Sequence, residues 1–183
     1  MKIIYRGFTK TGQKLIIRYP ESRDLLQVWR YFNKISAEKT FITYQGEKVS
    51  KKDEASWLDK NIKAILQKKS VYLFVFIDGK LSGVSEITLK ERVSKHIGSF
   101  GITLAPETRG QGIGKLLMNL VISEAQKKLP GLKMITLDCF ANNEIALKLY
   151  RSLGFIEYGR LPKGLNYHGS FVDEVSMYKI IDD

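Results

Sequence analysis

The chain has 183 residues, of which 44% are hydrophobic and 27% are charged, as is ordinary for a globular protein with a sizeable core. A single cysteine and two histidines exclude an internal disulfide and give no reason to expect a metal site. The longest apolar run, residues 71–77, is far shorter than the roughly 20 residues of a membrane helix, and the N-terminus lacks the apolar core of a secretory signal. We therefore expect a cytoplasmic protein that does not span a membrane.

The first half of the chain predicts two strands, two helices and a hairpin, in that order. Residues 2–8 and 14–19 have the composition of strands and are joined by a polar turn. A helix is expected next, because apolar residues recur at steps of three and four, namely Leu25, Val28, Trp29, Phe32 and Ile35. Ser50 and Asp53 form a loose capping pair for a second helix. Residues 71–89 predict a buried hairpin that turns at Asp78 and Gly79.

The second half alternates strands and helices and ends in two strands. The predicted elements are strand 96–104, helix 115–129, strand 134–140, helix 143–155, and strands 156–160 and 172–180. No linker or repeat interrupts this order. We therefore predict one α+β domain over residues 1–183, with a mixed sheet flanked by helices.

Between the strand that ends at residue 104 and the following helix lies a loop with three alternating glycines: Gly110, Gly112 and Gly114. A Walker loop would need glycine in place of Arg109 and Ser or Thr in place of Leu116, and a dinucleotide-binding loop would need glycine in place of Leu117. The loop still has the property that all such loops share, because backbone N–H groups at a helix N-terminus attract anions. Arg109 and Lys115 add positive charge. The loop therefore predicts a phosphate site of another type.

The helix that follows residue 142 carries a second pattern. Asn143 and Tyr150 are seven residues apart, which puts them within roughly 20° of each other on a helix. Gly154 fits the glycine that ends such a helix. With these spacings, residues 97–160 resemble the GNAT superfamily of acyl-CoA-dependent N-acetyltransferases. The resemblance rests on Arg109, Gly112, Gly114, Asn143, Ala146, Leu149, Tyr150, Gly154 and Phe155.

The resemblance implies a fold and a cofactor. The fold would be a three-layer α/β/α arrangement around a central mixed, mostly antiparallel sheet with one splayed strand pair. The cofactor would be acetyl-CoA, with no metal. The backbone of Ile102, Thr103 and Leu104 would face the pantetheine arm and the thioester. The pyrophosphate would lie against Arg109, Gly110, Gln111, Gly112, Ile113, Gly114 and Lys115, and Asn143 and Tyr150 would also contact the cofactor.

Acetyl transfer to an amine needs a group that accepts a proton from the amine and a group that donates one to the departing thiolate. Tyr150 matches the tyrosine that protonates the CoA sulfur in the superfamily. Asp138 matches the position of a glutamate in the superfamily's ribosomal-protein alanine N-acetyltransferases, and Glu86 lies on a strand whose acids serve as bases in other members. The base is therefore Asp138, Glu86, or no dedicated side chain.

The acceptor is less defined. Tyr167 and His168 lie in the segment between the last two strands, which borders the acceptor pocket in the superfamily, so they are expected to contact substrate. The expected acceptor is a protein N-terminus or a lysine, with a small-molecule amine (amino acid, antibiotic or polyamine) as the alternative. A non-catalytic acyl-CoA sensor is a rival of another class. A nucleic-acid partner is not expected, because the net charge of +11 is spread without a compact basic tract. The resemblance leaves a homodimer open.

Overall fold

The structure is a computed structural model that describes residues 2–181, and this part of the chain contains eight strands and four α-helices. The strands are β1 (Ile3–Phe8), β2 (Lys14–Arg18), β3 (Ser70–Ile77), β4 (Lys80–Leu89), β5 (Ile97–Leu104), β6 (Met134–Phe140), β7 (Ile156–Tyr167) and β8 (Ser170–Ile180). The helices are α1 (Leu25–Ala37), α2 (Lys51–Leu66), α3 (Ile113–Lys128) and α4 (Glu144–Ser152). No helix within residues 2–181 combines the length and apolar character that crossing a membrane requires.

The predicted α+β class with a mixed sheet is confirmed. The strand order is β1-β2-β3-β4-β5-β6-β8-β7. β5 and β6 run parallel, whereas β1–β2, β2–β3, β3–β4, β6–β8 and β7–β8 run antiparallel. The chain divides into two compact units, one from Met1–Thr88 and Gly101–Pro130 and the other from Leu89–Phe100 and Gly131–Asp183. β5 thus contributes its second half to the first unit and its first half to the second.

The core of the first unit is built around β3, whose eight residues are all buried. Alternate side chains of a strand point to opposite faces. Tyr72, Phe74 and Phe76 join an apolar cluster with side chains of α1 and α2. The intervening residues of β3 lie on the other face, and α3 also packs against this strand. The continuous apolar run in the sequence therefore marks a strand that is covered on both sides.

Local signals in the first unit are confirmed. Asp78 and Gly79 both have positive φ, 47° and 80°, as a two-residue hairpin turn requires. Ser50 caps α2, since its side chain accepts a hydrogen bond from the Asp53 amide at 3.1 Å. On α1 the fully buried stripe includes Tyr31, which the predicted apolar face omits. Local sequence patterns thus locate the turn and the cap. The predicted apolar face of α1 is incomplete, because a tyrosine can also belong to the buried stripe.

In the second unit the prediction of a long loop between the last two strands is wrong. β7 and β8 continue to a two-residue turn at His168 and Gly169, where φ is 54° and 80°. Pro162 lies inside β7, which is the last strand in the sheet order, and edge strands tolerate proline. The register between β7 and β8 shifts between Leu161 and Leu165, so the irregular residues are accommodated without ending the strand.

Candidate active site

In the first unit, the glycine loop leads into α3 with its backbone amides open. Gly110 and Gly112 have φ of 74° and 81°, and no atom lies within 4 Å of the position that a Cβ would occupy on either residue. Gly112 is the N-cap of α3, and the first intrahelical bond runs from the Leu116 amide to its carbonyl. The amides of residues 113–115 donate to no atom of the described chain. The loop therefore presents free N–H donors and no side chain that would keep an anion away.

Arg109, which is predicted to contact the cofactor, forms hydrogen bonds and an ion pair within the protein. Its guanidinium forms a two-pronged ion pair with Glu38 at the end of α1 and donates to the carbonyl of Leu104 at 2.9 and 3.1 Å. The Leu104 carbonyl is consequently not free for a ligand. Lys34 of α1 also donates to Glu107, at 2.7 Å. These contacts make α1 a support for the turn that precedes the loop.

The Gln111 side chain is likewise held by the loop itself. Its Nε2 donates to the Glu107 carbonyl at 2.9 Å, which ties the middle of the loop to the turn before it. Its Oε1 is buried and accepts no hydrogen bond from the residues that the structure describes. Buried acceptors are nearly always paired in folded proteins. The position is therefore suited to a ligand that brings a donor.

Glu86 is the acid that the first unit places beside β5. An added Cβ on Gly101 would lie 2.2 Å from Glu86 Oε1, so the carboxyl lies directly over the glycine and needs the missing side chain. Burial raises the pKa of Glu86 to about 7. The side chain is only partly exposed to solvent. Near neutral pH, the charged and neutral forms of the Glu86 carboxyl are therefore both populated. The charged form can accept a proton.

Tyr72 lies beside this acid, and two further aromatic side chains contact Tyr72 or the adjoining strand β5; the sequence patterns predicted no site role for them. Tyr72 of β3 is the cross-strand partner of Glu86, and the carboxyl charge contributes to raising the pKa of the Tyr72 phenol, after burial. Trp57 stands edge-on to Tyr72 at 5.7 Å. Tyr31 of α1 donates from its hydroxyl to Thr103 Oγ1 at 2.9 Å. The three-and-four spacing of Tyr31 with Val28 and Ile35 could have identified it as inward-facing.

In the second unit, Tyr150 lies on the buried side of α4. Its ring packs edge-on against Phe100 and at a tilt against Phe155, with ring centroids 6.1 Å apart in both cases. Burial, with a smaller contribution from Cys139, raises the pKa of the phenol above its ordinary value. Its hydroxyl forms no hydrogen bond with the described residues of the chain. Tyr150 therefore keeps its proton at neutral pH and has it available for a ligand.

Asn143 and Cys139 have structural explanations in the same unit. Asn143 is the N-cap of α4, and its Oδ1 accepts a hydrogen bond from the Ala146 amide at 3.2 Å. The side-chain NH₂ group is the part that can contact a cofactor. The Cys139 thiol is buried, and burial raises its pKa to about 11. A thiol that stays protonated near pH 7 is a poor nucleophile.

Asp138 has a different environment from Tyr150. It is exposed on β6 and accepts a hydrogen bond from Ser176 Oγ of the neighbouring β8 at 2.7 Å. Strand alternation turns Asp138 to the face opposite Cys139, whereas Tyr150 interacts with Cys139. No shared site for Asp138 and Tyr150 on one face of β6 is therefore formed.

Tyr167 and His168 close the second unit's hairpin. Tyr167 is the last residue of β7, and its ring packs against Phe140 at 5.4 Å and against His168 at 4.2 Å. His168 is exposed. The pair lies at the turn between β7 and β8, and its contact with substrate stays a prediction. Among the described residues, no group of three or more His, Cys, Asp and Glu side chains could hold a metal ion.

Comparison with known proteins decides the family. A sequence model of the acetyltransferase (GNAT) family matches residues 28–155. This chain belongs to the GNAT family. It is 32% identical to NAA20, the catalytic subunit of the N-terminal acetyltransferase B complex of Arabidopsis thaliana, over 106 residues that cover 58% of this chain and 55% of that protein. It is 28% identical to the L-amino acid N-acetyltransferase AaaT of Escherichia coli over 109 residues, which cover 59% of this chain and 67% of AaaT.

The fold comparison agrees. The crystal structure of a GNAT acetyltransferase from Streptococcus pneumoniae superposes with a TM-score of 0.83 and 27% identity, covering 91% of this chain and 99% of that one. Membership of the GNAT family raises the question of whether the glycine loop can hold the pyrophosphate of CoA. The open amides of residues 113–115 and the bare loop glycines fit that group. Arg109, being paired with Glu38, supports the loop rather than adding a free charge.

Proposed function

We propose that this protein transfers the acetyl group of acetyl-CoA to a primary amine by direct attack, with Glu86 as the base and Tyr150 as the acid. The observation that carries this assignment is the Glu86 carboxyl over Gly101, with a pKa of about 7, immediately before the strand residues 102–104. Asp138, which is exposed and bonded to Ser176, lacks a comparable environment.

The proposed residues would hold the donor as follows. The amides of residues 113–115 and the loop glycines would bind the pyrophosphate, and the NH₂ group of Asn143 would donate to the cofactor. Of the strand residues, Thr103 has its side chain engaged by Tyr31, so its backbone is the part left to face the pantetheine arm. When bound, the cofactor supplies the thioester.

The proposed reaction transfers protons through Glu86 and Tyr150 and needs no covalent enzyme intermediate. The ammonium form of the acceptor gives a proton to the Glu86 carboxylate, and the neutral nitrogen forms a bond to the acetyl carbon. As the carbon–sulfur bond breaks, the phenol of Tyr150 gives its proton to the departing thiolate, and the second proton of the acylated nitrogen passes to the Tyr150 oxygen to leave the neutral amide. Because burial raises the pKa of Tyr150, its phenol is fully protonated at the start of each cycle, and Glu86 releases its proton to solvent at the end.

The strength of the base favours an α-amine as the acceptor. A protein α-amine has a pKa near 7.8, so moving its proton to a carboxyl of pKa about 7 costs about 1 kcal/mol. The side-chain amine of lysine, with a pKa of about 10.4, would cost about 4–5 kcal/mol. The plant relative is named as an N-terminal acetyltransferase subunit, which supports a protein N-terminus. The relative that acts on amino acids keeps a free amino acid as the second candidate, because its α-amine is of the same chemical class.

A panel of acceptors tests this proposal. The protein is incubated with acetyl-CoA and peptides with free N-termini, peptides with blocked N-termini that retain lysine, and free amino acids, and CoA release and product mass are recorded. We expect mass increases on free N-termini. Acetylation of blocked peptides on lysine would contradict the α-amine assignment. CoA binding without acetylation of any amine would contradict the enzymatic function and support the acyl-CoA sensor.

A further inference from the structure

A cavity of about 310 Å³ lies in the first unit, apart from the residues assigned above. Its lining includes Ile62, Ile65, Leu66, Lys68, Ser70 and Lys128. Lys128 is the last residue of α3, and the phosphate loop meets the first residue of that helix, about 22 Å away along the axis. The cavity is therefore a separate feature from the proposed CoA loop.

The walls of the cavity are apolar, and one buried polar atom lies among them. Ser70 begins β3 and is 2% exposed, and its Oγ has no hydrogen-bond partner among the described residues. Buried hydroxyls are almost always paired, because an unmade bond is costly. Leu66 is 78% exposed at the same place. An unpaired hydroxyl beside uncovered apolar surface points to a ligand with a polar end and an apolar body.

Lysines supply the charge at this cavity. Lys2 is paired with Glu124 at 2.6 Å, but neither Lys68 nor Lys128 forms an ion pair with the residues that the structure describes. α2 and α3 both end here, and each C-terminus brings about half a negative charge. The ammonium groups of Lys68 and Lys128 carry two positive charges, which exceed the roughly one negative charge of the two helix ends. The polar end of the ligand is therefore expected to be anionic.

Lys68 occupies a backbone position that favours glycine. Its φ is 55°, at the turn just after α2, where the Lys69 amide bonds back to the Ala64 carbonyl. A glycine at this position would be less strained. The chain thus carries a lysine at the cavity, although a glycine would relieve the backbone strain at this position.

We propose that this cavity binds a medium-chain carboxylate, with the carboxylate at Lys68, Lys128 and the Ser70 hydroxyl and the alkyl chain against Ile62, Ile65 and Leu66. The Ser70 hydroxyl donates to the carboxylate, and the two ammonium groups neutralise it. The apolar walls then cover the chain. This proposal is independent of the acetyltransferase assignment, because it uses none of its residues.

Calorimetric titration of the full chain tests the site, with octanoate as the probe. Octanol, which has the chain without the charge, and acetate, which has the charge without the chain, are the matched ligands. We expect saturable binding of octanoate and at least tenfold weaker binding of both controls. No saturable binding of octanoate, or equal binding of octanol, would overturn the proposal.

Two variants separate binding from folding. Lys68→Gly removes a charge and relieves the positive φ, so it should raise the melting temperature while weakening octanoate binding about tenfold. Ser70→Ala removes the unpaired hydroxyl and should also weaken octanoate binding without loss of stability. Lys69→Gln, at a neighbouring lysine that does not line the cavity, is the matched control and should bind normally. Unchanged octanoate affinity in both variants would refute the location.

Discussion

Replacing Glu86 by glutamine keeps the shape of the side chain and removes its ability to accept a proton. The wild-type enzyme should gain activity as pH rises through about 7, because burial raises the pKa of this carboxyl to that value. A carboxyl with the ordinary pKa of 4.5 would be fully ionised well below pH 6, and the activity would then be flat across this range. The position of the rising limb thus reports the Glu86 environment.

The size of the loss depends on the acceptor. In Glu86→Gln the acceptor must be neutral before it binds, and an α-amine of pKa about 7.8 is about 15% neutral at pH 7 and above 90% neutral at pH 9. At pH 7 wild-type Glu86 is itself about half ionised, so we expect kcat/KM for the peptide to be about fourfold lower in the variant at pH 7 and to approach the wild-type value at pH 9. The rising limb should move from about 7 to about 8, where it follows the acceptor.

The assay is the initial rate of CoA release at saturating acetyl-CoA and at peptide concentrations well below KM, which reports kcat/KM, between about pH 6 and about pH 9. Glu54→Gln is the matched control, since burial also raises the pKa of Glu54 to about 7, but this residue lies on α2 and has no assigned part in catalysis. Its pH profile should match the wild type. A deficit in Glu86→Gln that is equal at every pH would refute the role of base, and an unchanged rate would remove Glu86 from the reaction.

The sequence predicted the glycine loop and the start of α3 well, because their geometry is defined by local chemistry. Glycine is needed at Gly110 and Gly112 for a positive φ, and the apolar spacing of the next residues defines a helix whose N-terminus is open. The same holds for the hairpin at Asp78 and Gly79. Each of these features is formed by residues that are close in sequence.

The partners of the side chains could not be predicted in this way. Arg109 has the charge of a phosphate ligand, but its partner, Glu38, is 71 residues away and is brought to it by the docking of α1. Glu86 and Gly101 meet only because β4 and β5 have a particular register. The raised pKa of Glu86 depends on burial, which no sequence motif encodes. The proposal of Glu86 rather than Asp138 as the base therefore rests on contacts and burial that only the tertiary structure provides.

Three further substitutions test the other assignments. Tyr150→Phe should lower kcat about 100-fold with little change in CoA affinity or melting temperature, because the hydroxyl bonds to no described residue; unchanged turnover would refute its role as the acid. Gly112→Ala and its matched control Gly12→Ala both place a side chain at φ 81° in open space, so both should lose about 1 kcal/mol of stability, but only Gly112→Ala should weaken CoA binding by calorimetry. Equal CoA affinity in the two variants would contradict the loop assignment. Glu54→Gln should raise the free energy of unfolding by about 1–3 kcal/mol at pH 8 and by little at pH 4, as measured by urea denaturation. The sign follows because the folded-state pKa, about 7, lies above the unfolded value of 4.5: the stability that the neutral carboxyl contributes is complete below pH 4.5 and is lost as pH rises through 7. Equal stabilities of wild type and variant at pH 8 would mean that the Glu54 carboxylate is paired or hydrated in the folded protein.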